Sequence, residues 1–358
     1  MSDTHKASGW RHLALFTAGF IFDALVIHRI DDTPVLIQQG VYLIVCGILL
    51  ARLIAWQHRR PEFPRLLAGL PTWGAWLLHF MLGTLLNAYT LFYFKSGSGL
   101  TAIIFFVVIA VLLVVNELPS MHALGPVVLY ALYSFCLTSY FAYLYPVLIG
   151  RIRWWMFLLA VATSVVPLVL IARFHHQRSG DRQQVVRHAL APSLGVQALL
   201  LVLYVFGLIP PVPLSLMEIG IYHNVARDDS GAYQVTYERP SWYRFWAKDD
   251  STFVGRSGDR IYCFTRVFAP RGFHDAIRVA WFYRQPGHGW IAAGDVPIAV
   301  TGGRESGFAG VAYKQNWRAG DWRVTVETAD GREIGRRAFS VRDDPDTAGE
   351  RDMTVQVR

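Results

Sequence analysis

The first two hundred or so residues are a series of apolar stretches, each about 20 residues long and separated by short polar loops. A helix needs roughly 20 apolar residues to cross a bilayer, and in lipid the backbone polar groups have no partners outside the helix itself. We therefore predict a membrane all-α bundle of about seven transmembrane helices over residues 1–211. The predicted spans are residues 12–28, 34–55, 72–94, 99–116, 124–148, 154–172 and 189–210.

Charge divides the chain at the same point. Residues 1–211 contain 14 Lys or Arg and 7 Asp or Glu, whereas residues 212–358 contain 20 and 19. The basic excess therefore belongs to the loops of the predicted membrane half, and it gives no reason to expect a nucleic-acid partner. Cys263 is the single cysteine of the second half, so that half cannot close an internal disulfide.

Basic residues are distributed unevenly between the two sides of the predicted bundle. With seven spans, ten of them fall on the N-terminal side and four on the other. The four are Arg29, Lys95, Arg151 and Arg153. The positive-inside rule then places the N-terminus in the cytoplasm and the C-terminal half outside. An error of one span would reverse the location of the C-terminal half.

After Pro213 the hydrophobic pattern changes to a period of two, which is typical of β-strands. Trp322, Val324 and Val326 alternate with polar residues, and Asp330-Gly331 then predicts a hairpin turn into the next strand. We predict an all-β immunoglobulin-like sandwich of seven or eight strands over residues 212–343. We expect residues 344–358 to form a flexible tail.

Several of these segments together resemble a bacterial domain family of unknown function that typically closes membrane proteins at the C-terminus. The matching elements are Ile261-Tyr-Cys-Phe-Thr265, Trp281, Arg304, Lys314, Gly320-Asp-Trp-Arg-Val-Thr-Val326, Asp330-Gly331 and Phe339-Ser-Val341. Gly19-Phe-Ile-Phe-Asp23, Arg29-Ile-Asp31 and Phe92-Tyr-Phe-Lys-Ser96 resemble motifs of the membrane region that accompanies this domain. The resemblance implies a bacterial membrane protein with a C-terminal β-domain, and it implies no activity. Together with the distribution of basic residues it leads us to predict an inner-membrane protein with a periplasmic β-sandwich domain.

One group of polar residues is predicted to gather near the outer membrane surface. It consists of Asp23, His28, Arg29, Asp31, Asp32 and Lys95. An ionisable residue inside a span, such as Asp23, suggests by default a functional site, here for a cation, a proton or a lipid headgroup. The alternative is a structural clamp in which Asp23 pairs with Arg29, Lys95, Arg151 or Arg153.

Two aromatic segments are further candidates. The first is a run of alternating aromatic and basic side chains in the C-terminal half: Trp242, Tyr243, Arg244, Phe245 and Trp246. These side chains could stack on sugars or touch lipid headgroups. Alternatively, half of them could belong to the core of the β-domain. The span 124–148 is rich in Tyr and Phe, which indicates either a groove for lipid tails or ordinary helix packing.

Sequence motifs of catalysis, metal binding or cofactor binding are absent, so we predict no catalytic residue, no metal and no cofactor, and we favour a non-enzymatic role. The expected function is binding or scaffolding, in which the β-domain engages a periplasmic protein or an envelope glycan and the bundle contacts membrane lipids. The alternative is a carrier or enzyme that acts on a lipid-linked envelope substrate at the outer face.

Overall fold

The computed structural model describes residues 32–57, 70–97, 99–117, 126–240, 242, 246, 248–345, 349 and 351–358. The chain forms two compact units, which we call the helical unit and the β unit. The helical unit comprises Met1–Phe94, Ala102–Tyr145 and Trp154–Ile209. The β unit comprises Lys95–Thr101, Pro146–Arg153 and Pro210–Arg358.

Helices account for the first part of the described chain. They are α1 (Thr33–Gln57), α2 (Leu70–Ser96), α3 (Gly99–Glu117), α4 (Pro126–Ile149), α5 (Trp154–Ser179) and α6 (Arg182–Val205), the last with a π-helical turn at Val186–Leu190. Five described helices, α1, α2, α4, α5 and α6, are long and apolar enough to cross a membrane. Within the described residues, five of the seven predicted spans are therefore found: in α3 the apolar stretch found is the shorter Ile103–Leu112, and the predicted span 12–28 lies outside the described residues.

The helical unit exposes apolar side chains and buries polar ones. Along α1, residues at helical spacing that face outward are Ile37, Val41, Ile44 and Ile48. Inside the unit, the amide nitrogen of Gln197 on α6 lies 2.9, 2.7 and 2.9 Å from the hydroxyl oxygens of Ser134, Thr138 and Ser164. Because Ser134 and Thr138 belong to α4 and Ser164 to α5, this cluster joins three helices through hydrogen bonds.

Tyrosines of α4 dock onto glycines of α1. The hydroxyl of Tyr133 donates to the carbonyl of Leu43 at 3.1 Å. A Cβ at Gly47 would lie 2.6 Å from that hydroxyl, so the contact requires glycine there. Seven residues away along both helices, Tyr140 donates to a second carbonyl of α1. Tyr130, Tyr133, Phe135 and Tyr143 are all buried, as the packing interpretation of this aromatic helix expects.

Eleven strands form the described part of the β unit, more than the seven or eight predicted. They are β1 (Ser215–Tyr222), β2 (Asn224–Arg227), β3 (Tyr233–Glu238), β4 (Thr252–Gly255), β5 (Ile261–Phe268), β6 (His274–Gln285), β7 (Gly289–Thr301), β8 (Phe308–Lys314), β9 (Gly320–Thr328), β10 (Glu333–Asp343) and β11 (Met353–Val357). The sheet orders are β1-β5-β8, β4-β10-β9-β6-β7 and β11-β3-β2. The short strands β2, β4 and β11 have five residues or fewer, which is too short for a period-two pattern to identify.

The first two sheets enclose an apolar core, so the unit is sandwich-like. Cys263 of β5, Trp281 of β6 and Trp322 of β9 belong to one buried cluster. The predicted hairpin is confirmed, because β9 and β10 pair antiparallel around Gly331, which has a φ of 82°. Only glycine adopts such a positive φ readily. Burial raises the pKa of the Cys263 thiol to about 12, so this cysteine is an inert core residue.

The prediction that residues 344–358 form a flexible tail is wrong. Of residues 344–358, Met353–Val357 form strand β11, which pairs antiparallel with β3. The terminal Arg358 forms an ion pair with Glu218 of β1 at 3.1 Å. The polar composition of this segment suggested a loose end, but backbone hydrogen bonds to an open sheet edge do not require apolar side chains.

The connection between α4 and α5 is part of the β unit. Ile152 is buried in a core cluster with Leu214, Val267 and Phe273. Arg153 donates two hydrogen bonds to the Asp275 carboxylate, at 2.5 and 3.1 Å. This partner lowers the pKa of the Asp275 carboxyl against the opposing effect of burial. Arg153, a candidate partner for Asp23, is thus engaged with the β unit.

Candidate functional site

The predicted membrane-surface cluster lies mostly outside the described residues. Asp23, His28, Arg29 and Asp31 are not described, so the cluster as a whole stays a prediction. Asp32 is exposed immediately before α1, and Lys95 is exposed in the last turn of α2.

The aromatic segment of the β unit lies between β3 and β4, and we call residues 239–249 the tryptophan loop. Trp242 is 88% exposed and Trp246 is 65% exposed. These two are therefore not core residues, so the alternative that half of the segment belongs to the core does not hold for them. Tyr243, Arg244 and Phe245 lie outside the described residues.

The base of the tryptophan loop is held by the Asp250 carboxylate. One carboxylate oxygen accepts a hydrogen bond from the backbone N–H of Glu238 at 2.9 Å, which ties the two ends of the loop together. The backbone N–H of Asp250 donates to the carbonyl of Ile221 at 2.9 Å. Arg337 donates to the neighbouring Asp249 at 2.6 Å. Exposed tryptophans are thus presented on a closed and well-anchored base.

His223 supports the same carboxylate from the turn between β1 and β2. Its Nδ1 lies 2.8 Å from the second Asp250 oxygen, and its Nε2 lies 3.1 Å from the carbonyl oxygen of Val254. Both ring nitrogens face acceptors, and only the imidazolium can donate from both. The ring also stacks on Phe253 at 4.1 Å between centroids.

Electrostatics agree with a charged ring at this position. Burial opposes the charge of His223, but the hydrogen bond and charge of Asp250, the Val254 carbonyl and the charge of Glu238 together raise the pKa of the imidazole. Because both nitrogens are occupied, the ring is not placed to accept a proton from a substrate. The geometry indicates a structural clamp rather than a catalytic dyad.

A second surface lies on the outward face of the five-stranded sheet, and we call it the arginine face; it consists of Arg278, Phe282, Arg284, Trp290, Arg323 and Arg336. The Arg323 guanidinium carbon lies 5.1 Å from the Phe282 ring centre and 4.7 Å from the Trp290 ring centre. Rings at this distance attract and immobilise a cation. Among the described residues, no group of three or more His, Cys, Asp or Glu could hold a metal ion.

Sequence reasoning missed the His223 clamp and the arginine face for different reasons. His223 and Asp250 are 27 residues apart in the chain, and no local pattern signals their contact. The alternation around Trp322 did place Arg323 on the opposite face of the strand. Its aromatic neighbours come from two other strands, and the strand register could not be derived.

Comparisons with known proteins match the β unit to a family without an assigned function. A family described as "Protein of unknown function (DUF2914)" matches residues 274–341. This agrees with the resemblance drawn from the sequence for the C-terminal half. The match does not reach the helices, so the accompanying membrane region stays a prediction.

Two solved structures show weak similarity. An immunoglobulin-like protein from Pseudomonas aeruginosa is 12% identical and has a TM-score of 0.21, covering 35% of this chain and 97% of that one. The alkylpurine DNA glycosylase AlkC from Pseudomonas fluorescens, bound to DNA, is 12% identical and has a TM-score of 0.21, covering 85% and 98%. Such scores carry no argument about this chain. No curated protein matches.

Proposed function

We propose that this chain is a multi-pass protein of the bacterial inner membrane that holds a binding unit in the periplasm. The helices contact membrane lipids, and the β unit engages a periplasmic protein or an envelope glycan through the tryptophan loop. The observation that carries the proposal is the pair of exposed tryptophans, Trp242 and Trp246, on a loop whose base is fixed by Asp250. Exposed aromatic side chains are typical anchors of binding surfaces.

The membrane part of the proposal is supported by the distribution of side chains in the helical unit. Isoleucines such as Ile37 and Ile44 are more than half exposed, while Gln197 is buried. In water this arrangement would leave apolar surface hydrated. In lipid it is the expected one, because apolar side chains face the acyl chains and polar side chains join the helices.

The orientation can be tested with a reporter. An alkaline-phosphatase fusion after Arg358 is active only when it is exported, and we expect it to be active. A fusion at the same point that is produced but inactive would place the β unit in the cytoplasm and would contradict the proposal.

Binding by the tryptophan loop can be tested by photo-crosslinking in cells. A photoreactive amino acid at position 242 or 246 should give a discrete adduct, either with a protein or with glycan. The same amino acid at Tyr313, which is 49% exposed on β8, serves as the control. Adducts of equal yield and identity from position 313, or none from 242 and 246, would show that the loop is not a binding surface.

The carrier or enzyme alternative depends on Asp23 and its neighbours. The buried polar cluster around Gln197 lends it no support, because its amide and the three hydroxyl groups satisfy one another. Asp23→Asn separates the two functions: a carrier or enzyme loses its function, and a binding protein that still folds retains it.

A further inference from the structure

The strand register gathers an aromatic and cationic group on one face of the β unit. Phe282 on β6 lies directly opposite Arg323 on β9, and Trp290 on β7 lies opposite Arg284 of β6. Side chains two residues apart on a strand share a face, so Phe282, Arg284, Trp290 and Arg323 all point outward. The buried tryptophans Trp281 and Trp322 occupy the other face.

Arg323 differs from the other arginines of this face in its charge balance. Arg278 pairs with Glu327 at 3.1 Å, Arg284 with Asp321 at 3.5 Å and Arg336 with Glu333 at 2.6 Å. Within the described part of the chain, no carboxylate lies within 4.0 Å of the Arg323 guanidinium. Its Nε is buried and has no hydrogen-bond acceptor among the described atoms.

The charge of Arg323 is only partly compensated by its surroundings. Burial and the neighbouring charge of Arg336 lower the pKa of its guanidinium, and the more distant charges of Glu333 and Glu327 offset this only in part. The rings of Phe282 and Trp290 hold the side chain in place, so binding an anion there would cost little side-chain entropy. A planar guanidinium that is already fixed accepts a carboxylate through two parallel hydrogen bonds.

We propose that the arginine face binds the carboxylate groups of an acidic polysaccharide, with Arg323 as the anion-binding residue and Trp290 as the platform for a sugar ring. Trp290 is 38% exposed, and the apolar face of a sugar ring packs on such an indole. The guanidinium covers part of the indole, so the sugar ring must pack on the part that remains exposed, and the acid group must be carried close to that ring. A uronic acid, whose carboxylate is attached directly to a ring carbon, has this arrangement.

This site is separate from the tryptophan loop, which leads into β4. In the sheet order β4-β10-β9-β6-β7, that strand is at one edge and Trp290 is on the other edge strand. The inference therefore goes beyond the proposed function and can hold even if the loop has no partner.

The test measures binding of polygalacturonate to the full chain in lipid nanodiscs. We expect the wild type to bind polygalacturonate, with dextran of similar length as the neutral control and polyphosphate as the control for charge alone. Arg323→Gln should weaken binding about tenfold or more, as loss of a charge-assisted hydrogen bond does. Trp290→Ala should weaken it roughly three- to tenfold.

The matched control is Arg227→Gln. Arg227 also lies over an aromatic ring, that of Tyr233 at 5.8 Å, but it belongs to β2 in a different sheet. It should bind like the wild type. If Arg323→Gln reduces folding, Arg323→Lys retains the charge without the planar fork and should still lose affinity at an unchanged melting temperature. Absence of wild-type binding, equal binding of polyphosphate, or an equal loss in Arg227→Gln would overturn the proposal.

Discussion

The two units of this chain differ in which side chains they bury and which they expose. The helical unit exposes Ile37 and Ile44 and buries Gln197 with three hydroxyl groups. The β unit instead buries Trp281 and Trp322 and exposes charged residues such as Arg284 and Asp321. Hydrophobic burial therefore stabilises the β unit directly. In the proposed lipid environment, apolar burial gives little drive between helices, so we expect close backbone approach and hydrogen bonds to hold the helical unit together.

The largest expected effect is in the core of the β unit. Trp322 is buried, and its indole N–H donates to the carbonyl of Arg318 at 2.9 Å. Trp322→Ala should cost about 3–5 kcal/mol, since it leaves a large cavity. The loss of unfolding free energy is measured by denaturant titration of the full chain in detergent, with cleavage of the β unit by a protease as the readout of unfolding. Trp246→Ala, at an exposed position, should change stability by less than about 0.5 kcal/mol, and equal effects would contradict the assigned core.

The helical unit should instead be sensitive to small residues at the helix contact. Gly47→Ala places a methyl group 2.6 Å from the Tyr133 hydroxyl, and the forced displacement should cost about 1–3 kcal/mol. The control is Gly195→Ala on α6, where no atom lies within 4 Å of the new Cβ. Higher helix propensity should leave that variant neutral or more stable by up to about 1 kcal/mol. Equal thermal stability of both variants in detergent would rule out the tyrosine–glycine contact.

A smaller effect is the pH dependence of stability, which we expect in the β unit because of His223. The pKa of His223 is raised in the folded β unit, so its contribution to stability is full below the unfolded pKa of about 6.5 and is lost as pH rises through the higher folded value. The β unit should therefore melt at a lower temperature at pH 9 than at pH 6. His223→Gln should reduce this difference. An unchanged pH profile in that variant would show that the clamp does not carry the proton.

Sequence patterns predicted the parts of the fold that depend on local periodicity. The long apolar stretches located the helices, and the alternation around Trp322 with Asp330-Gly331 predicted the β9–β10 hairpin. The strand β11 and the His223–Asp250 contact escaped because both depend on partners far along the chain. For the candidate site, the sequence identified the tryptophan loop, but burial was needed to show that Trp242 and Trp246 are surface residues.

The arginine face shows the same limit. The polar side of β9 was visible in the sequence, yet Arg323 becomes distinctive only when β6 and β7 bring Phe282 and Trp290 beside it. The pairing register of β6 with β7 and β9 decides this surface, and that register cannot be read from local sequence patterns because it depends on contacts between strands.

The contrast between the two exteriors can be measured directly with spin labels. All three native cysteines are buried, so a label can be directed to Ile44 on α1 and, separately, to Val355 on β11, both at least 60% exposed. In nanodiscs, the label at position 44 should collide more often with oxygen, which is enriched in lipid, than with a water-soluble nickel complex. The label at position 355 should show the reverse order. Preferential collision with nickel at position 44 would contradict a lipid-facing helical unit.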